Sequence, residues 1–347
     1  MELLENPLRA HPKLAPNAPY PSTDAGRVAE LLNKCPRAAQ TPLVAAEGLA
    51  PVSAFWIKDE RSRMGLGSFK ALGAAYVIAR QANDITENPD SSTLTGRTFV
   101  TASAGNHGMS VAVGARLFGA KSVVYISATV PEVFGAKLRA LGADVVREGS
   151  DYAASMAAAM QASKDNGWTL LSDSSWDGYT DLPHTLMEGY VQMAAEAVTQ
   201  CPEPPTHIFL QAGVGGLAGA AAAYMRQAWG EAPQIIVVEP TSAPALQKSI
   251  EARKCVFADG PDSVMGRLDC KEPSLIALNG LARDANVILT LDDDEVTPVL
   301  SRLATQDLAT TASGGAGVAA AMNGDVQAAL NITKDARILC ILSEVAD

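Results

Sequence analysis

Lys70 stands in the run Gly65-Leu66-Gly67-Ser68-Phe69-Lys70-Ala71, where an apolar stretch (54–57) passes through a charged, glycine-bearing loop into an apolar helix expected to begin near Phe69. A lysine at the mouth of such a helix is poorly solvated. That predicts an amine with a lowered pKa, the type that forms Schiff bases with carbonyl compounds. Alone, the same residue reads as an ordinary helix lysine snorkelling to solvent, so its meaning depends on what other stretches supply.

A second stretch, Thr101-Ala102-Ser103-Ala104-Gly105-Asn106-His107-Gly108, lies between a strand expected at 98–102 and a helix expected at 109–118. Small residues there expose backbone N–H groups at a helix N-terminus, where an anion such as a substrate carboxylate is stabilised. The competing reading is a tight βα turn with a buried amide. A third stretch, Gln211-Ala212-Gly213-Val214-Gly215-Gly216-Leu217-Ala218-Gly219, follows a strand expected at 207–211 and opens an alanine-rich helix. Its glycines let a phosphate approach successive N–H groups. It lacks the Lys-Ser/Thr ending of a nucleotide P-loop, and its spacing departs from that of a dinucleotide turn. An amine, a carboxylate loop with an amide, and a monophosphate cradle together are what pyridoxal 5′-phosphate and an amino acid require.

The elements that must position these stretches alternate. Strands are expected at 54–57, 98–102, 122–126, 144–146, 169–171, 207–211, 235–238 and 338–341, with alanine-rich helices between most of them, which predicts an α/β fold with largely parallel sheets flanked by helices. Gly119-Ala120 and Gly142-Ala143 read as helix C-caps leading into strands. Asp292-Asp293-Asp294-Glu295 reads as a helix opening or, alternatively, a cation site. Residues 1 to about 40, with Pro12, Pro16, Pro19 and Pro21, read as an extended arm followed by a helix at 25–35.

With 347 residues, 48% of them hydrophobic, the chain is long enough for about two domains. Its net charge of −11 and lack of a basic run speak against a nucleic-acid partner. No signal-like N-terminus and no long apolar window is visible, so a cytoplasmic protein with no membrane partner is expected. The five cysteines form no CxxC pair and the four histidines show no ligand spacing, so no metal site is expected.

These stretches, in this order, resemble the fold-type II pyridoxal-phosphate enzymes of the tryptophan synthase β-like superfamily. Lys58-Asp59-Glu60 through Lys70, the segment Asp173-Ser174-Ser175-Trp176-Asp177-Gly178-Tyr179-Thr180-Asp181-Leu182-Pro183, and Met187-Glu188-Gly189-Tyr190 are most similar to the diaminopropionate ammonia-lyase family. The resemblance implies two domains, a large cofactor-binding one (1–80 and 187–347) and a small substrate-side one (81–186), in an expected homodimer. It implies a carbon–nitrogen lyase that eliminates across the α,β-bond of a small amino acid, 2,3-diaminopropionate above all and the L-isomer in particular. A serine, threonine or 3-hydroxyaspartate dehydratase is the alternative, and a β-replacement synthase or a non-catalytic amino-acid-binding protein stands behind it.

By the same resemblance Lys70 carries the cofactor and acts as an acid/base, and Asp173 is the base for the L-isomer. Asn106 holds the cofactor's phenolic oxygen, and Gly213, Val214, Gly215, Gly216 and Leu217 take its phosphate. Ser343 faces the pyridine nitrogen, with Cys340 as runner-up for that role. Ser103, Ala104, Gly105 and His107 form the substrate side. Trp176 and Tyr179 either shape the pocket or pack between domains, and Arg267 is a candidate partner for a carboxylate. Two positions depart from the family pattern. Ala104 stands where the family has an aspartate that serves the D-isomer, and the end Ser343-Glu344-Val345-Ala346-Asp347 lacks the family's glycine after the glutamate.

Overall fold

The computed structural model describes every residue except Ala10, Pro12 and Asp347, so Pro12 of the expected arm and the final residue lie outside the described set. Its strands, in chain order, are β1 Leu3–Glu5, β2 Leu43–Ala45, β3 Ala54–Asp59, β4 Thr98–Ala102, β5 Lys121–Ile126, β6 Asp144–Arg147, β7 Thr169–Leu170, β8 His207–Gln211, β9 Gln234–Pro240, β10 Val287–Leu291 and β11 Arg337–Leu342. One sheet has the order β1-β10-β9-β8-β11-β3-β2 and the other β6-β5-β4-β7. From β10 across to β3 every pairing is parallel, and only the edge strands β1 and β2 run antiparallel. The second sheet is parallel throughout.

Strands of a parallel sheet are covered on both faces, so they read as continuous apolar runs while their side chains still alternate. Ile208, Leu210, Ile235, Val237, Leu339 and Ile341 enter one core. Phe209, Ile236, Val238, Ile338, Cys340 and Leu342 enter the core on the other face. The expected helices are present with small shifts of boundary, at Asn106–Leu117 and Glu132–Ala140, and both lead through a glycine of positive φ (Gly119, Gly142) into the next strand. Asp292 and Glu295 form a reciprocal capping box on the helix Asp293–Ala304, so the acidic run opens a helix.

The first residues are fastened to their own chain. Leu3 pairs with Leu289 across β1 and β10. Asn6 Nδ2 donates to the carbonyls of Ala282 and Ala285 at 3.0 and 2.8 Å. The sequence reading had no strand at β1, β2 or β10.

The segment leading to Lys70 is held by a buried ionic cluster. Lys58 at the end of β3 donates to Glu196 at 2.7 Å, and Arg63 spans Glu60 and Glu196, each at 2.7 Å. Two cations face two carboxylates, and Thr41 supplies a hydroxyl to Glu60 at 2.6 Å, so the desolvation of each charge is offset within the cluster. Burial alone would raise the Glu196 carboxyl, but the bonds from Arg63 and Lys58 bring it down to about 2. The helix Asp181–Gln200 carries Glu196 and also lies against the turn Phe69–Leu72, so close that a Cβ at Gly189 would stand 2.0 Å from the Leu72 carbonyl oxygen.

Candidate active site

The sequence-predicted segments converge at the carboxyl ends of parallel strands, where open α/β sheets bind their ligands. Lys70 follows β3, Asn106 follows β4, Asp173 follows β7, the glycine stretch follows β8 and Ser343 follows β11. β8 and β11 are neighbours at which the order of the large sheet reverses direction, so the glycine stretch and Ser343 flank its switch point.

Lys70 lies in the 3₁₀ turn Phe69–Leu72, whose first turn is capped by Ser68, the hydroxyl accepting the Lys70 N–H at 3.3 Å. Its Nζ is 2.5 Å from Asp173 Oδ2, with both side chains about a fifth exposed. The amine also stands 5.2 Å from the Phe69 ring centroid and 5.8 Å from that of Tyr190. Here the structure corrects the sequence reading. Burial does disfavour the charged amine, but the Asp173 carboxylate outweighs it and holds Lys70 above the ordinary lysine value. Burial likewise pushes against ionised Asp173, and the charge of Lys70 reverses the balance, holding that carboxyl below its usual range.

The segment carrying Asp173 is fixed from two directions. His107 Nε2 lies 2.8 Å from the Leu171 carbonyl, which makes Nε2 the protonated nitrogen, and burial lowers the imidazole below its ordinary value. Tyr179 accepts the Ser172 N–H at 3.0 Å and donates to the Leu170 carbonyl at 2.9 Å, while its ring stacks on Trp176 at 4.4 Å. Trp176 and Tyr179 thus pack the loop beyond Asp173. Ser103 accepts the N–H groups of Gly105 and Gly108 at 3.2 and 3.1 Å and closes the loop that presents Asn106. Ala104 packs its methyl against the apolar cluster of Ala112, Val124 and Leu138.

In the glycine stretch, Gly215 takes φ 92° and caps the helix Gly216–Trp229. A Cβ at Gly213 would stand 3.0 Å from both Cys270 Sγ and Leu268 Cα, and one at Gly215 3.0 Å from Ala277 Cβ. A Cβ at Gly216 would face Tyr190, Met187 and, at 4.0 Å, the Asp173 carbonyl, which places the helix start beside the lysine–aspartate pair. Among the described residues no backbone acceptor takes the N–H groups of Gly213, Gly215 or Gly216. A run of free donors at a helix N-terminus, kept open by the lack of side chains, fits a phosphate.

Ser343 follows Leu342, which points into the far core, so the alternation of β11 turns Ser343 to the face that carries Phe69 and Leu217. Its carbonyl accepts the Phe69 N–H at 3.1 Å. Cys340 lies wholly buried in the far core, its thiol 3.7 Å from the Gly317 carbonyl. The next residue was assigned no role by sequence reasoning. Glu344, 3% exposed, accepts from Asn106 Nδ2 at 2.6 Å, from Arg267 at 2.6 Å and from the Thr311 hydroxyl. Arg267 thus meets an internal carboxylate, that of Glu344. An acidic residue two positions beyond the apolar run 338–342 is the one signal that could have marked Glu344. Cys270, which crowds Gly213 and is pushed up to about 12 by burial, carried none.

A family model described as pyridoxal-phosphate dependent enzyme matches residues 35–344. The chain belongs to this family. Pyridoxal 5′-phosphate is accordingly its cofactor, and the amine, the open glycine cradle and the amide loop are groups that fit it. Among pyridoxal-phosphate dependent enzymes, the diaminopropionate ammonia-lyase of Salmonella typhimurium is 33% identical over 285 residues, 75% of this chain and 70% of that protein. The Escherichia coli K12 enzyme of the same name is 34% identical over 274 residues, 73% of this chain and 68% of that one. A crystal structure of the Escherichia coli enzyme with an aminoacrylate–PLP azomethine reaction intermediate superposes with a TM-score of 0.85 at 27% identity, covering 99% of this chain and 93% of that one.

Proposed function

We propose that this pyridoxal-phosphate dependent enzyme is an ammonia-lyase that removes the α-proton and the β-substituent of a small amino acid, with L-2,3-diaminopropionate its substrate. The observation that carries the reading is the 2.5 Å pairing of Lys70 Nζ with Asp173 Oδ2 beside an open glycine cradle. Bound there through Lys70, with its phosphate on residues 213–217, the cofactor supplies an electron sink for charge that develops at the substrate α-carbon. The chain's own groups do the proton work. Lys70 and Asp173 form a coupled acid/base pair from which one proton can be passed to a leaving amine and to which the α-proton can be delivered. Asn106 would hold the cofactor's phenolic oxygen, and the loop 103–107 would present N–H groups to the substrate carboxylate. Ser343 would offer the pyridine nitrogen a neutral hydroxyl in place of a charged partner, which would favour elimination over transamination.

In this reading residues 1–80 and 187–347 are the large domain and 81–186 the small one. Lys70 and Asp173 come from opposite sides of the cleft between the two sheets. A homodimer in the cytoplasm is part of the same proposal; among the described residues no helix is long and apolar enough to cross a membrane.

A hydroxy-amino-acid dehydratase is the second reading, favoured by Ala104 and the loop around it. Product stoichiometry separates the two. Diaminopropionate and water give pyruvate and two ammonia, serine gives pyruvate and one. Turnover of diaminopropionate with that two-to-one ratio supports the proposal, and turnover of serine or threonine alone overturns it in favour of the second reading.

A further inference from the structure

Glu344 joins three separate parts of the chain at one buried carboxylate, and its two oxygens are not equivalent. Oε1 receives two donors, Arg267 at 2.6 Å and the Thr311 hydroxyl. Arg267 has only donors to offer. Thr311 Oγ1 itself accepts the Gly314 N–H at 2.9 Å, so its own hydrogen goes to Glu344. Oε2 faces Asn106 Nδ2 at 2.6 Å. A carboxylate only accepts, and it therefore forces the NH₂ end of the Asn106 amide, rather than the carbonyl end, to turn toward it.

We propose that Glu344 is a positioning residue that sets the sense of the Asn106 amide and thereby decides that an N–H, not a carbonyl oxygen, is presented to the cofactor's phenolic oxygen. The proposal rests on the reading of this cleft as the pyridoxal-phosphate site. It assigns the contact made between the end of β11 and the loop after β4 to orientation of a cofactor ligand, beyond its role in joining the two sheets. The second hydrogen of Nδ2 remains available once the first is held by Glu344.

The isosteric change Glu344→Gln makes a sharp test, because Arg267 and Thr311 keep the glutamine's oxygen at the Oε1 place. Its NH₂ then falls at the Oε2 place, and Asn106 must invert to meet it with Oδ1. An acceptor then faces the phenolic oxygen, itself an acceptor. Titration of cofactor-free protein with pyridoxal 5′-phosphate, followed by the visible absorption band and by fluorescence, should give a dissociation constant at least about tenfold weaker than wild type and a displaced absorption maximum, a loss of about 1.4 kcal/mol. In an Asn106→Ala background the same substitution should have no further effect, since Glu344 acts through that amide.

The pair Asn106→Asp and Asn106→Asp/Glu344→Gln supplies an independent arm. The single change sets two carboxylates against each other and should weaken cofactor binding more than Asn106→Ala does. The double change gives the new carboxylate a donor and should recover at least part of that loss. An unchanged constant and spectrum in Glu344→Gln, an undiminished effect in the Asn106→Ala background, or no recovery in the double variant overturns the inference. Wild-type protein that takes up no pyridoxal 5′-phosphate would overturn the cofactor-site reading as well, and is thereby distinguished from failure of the Glu344 assignment alone.

Discussion

Lys70 Nζ and Asp173 Oδ2 stand 2.5 Å apart although 103 residues separate them in the chain, one on the turn after β3 and the other on the segment after β7. An amine from one sheet is neutralised by a carboxylate from the other, so each group sets the other's protonation.

Asp173→Asn removes the charge that holds Lys70 protonated. Burial, the largest influence on the amine, then loses its main opponent and lowers the pKa relative to wild type. Turnover of L-2,3-diaminopropionate should fall by about 10²–10⁴, the range for loss of a positioned general base, while pyridoxal phosphate still binds and gives its visible absorption band. Steady-state rates beside an absorption spectrum check this; a variant as active as wild type removes Asp173 from the mechanism.

Ala104 bears on stereochemistry. Its methyl packs against the apolar cluster that contains Ala112, Val124 and Leu138 and has no group that can accept a proton. The L-isomer of 2,3-diaminopropionate should be turned over and the D-isomer weakly or not at all, as measured by pyruvate released from each. Similar rates on both isomers would contradict the assignment.

Gly215 holds φ 92° at the cap of the helix Gly216–Trp229, and a Cβ there would press on Ala277 at 3.0 Å. Gly215→Ala should cost about 1–3 kcal/mol of stability through left-handed strain and crowding. It should also weaken cofactor binding if, as proposed, the N–H groups of this turn are the phosphate donors. Denaturant unfolding and cofactor titration would read the two effects separately.

Glu239, fully buried in β9, accepts the N–H groups of Leu246 and Gln247 at 2.8 and 2.9 Å, and burial nevertheless pushes its carboxyl up to about 8. A folded-state pKa above the unfolded value of about 4.3 means that the native protein holds the extra proton. Its contribution to stability is therefore complete below about pH 4 and is lost as pH rises through about 8. Unfolding free energies measured from pH 5 to 8.5 should decline with a slope that Glu239→Gln flattens. The variant should also cost about 1–3 kcal/mol at low pH, since an amide meets one of the two N–H groups with its own donor.

Much of this architecture was legible in the residues themselves. Apolar runs such as His207–Gln211 ending in glycine and an alanine-rich helix specify a βα unit locally, because backbone geometry at a tight turn and helix start leaves few residues that fit. Lys70, Asn106 and the glycine stretch stand out as candidates by their residue types beside such turns. The edge strands Leu3–Glu5 and Leu43–Ala45 were not, since three residues carry no period and their pairing is decided by partners far along the chain. Val287–Leu291 is a short apolar run equally compatible with the end of the helix before it, and only its place beside β9 makes it a strand.

What the amino-acid order determined, then, was the set of reactive groups and the turns that present them. Tertiary structure alone decided their electrostatics. Helix-mouth position predicted a lowered lysine pKa, and Asp173 reverses the sign because an opposite charge at hydrogen-bond distance outweighs desolvation. Asn106 and Glu344 are 238 residues apart, and no local pattern could show that one carboxylate orients the other's amide. Coulomb interactions and hydrogen bonds depend on distance in space, which the fold sets and sequence separation does not.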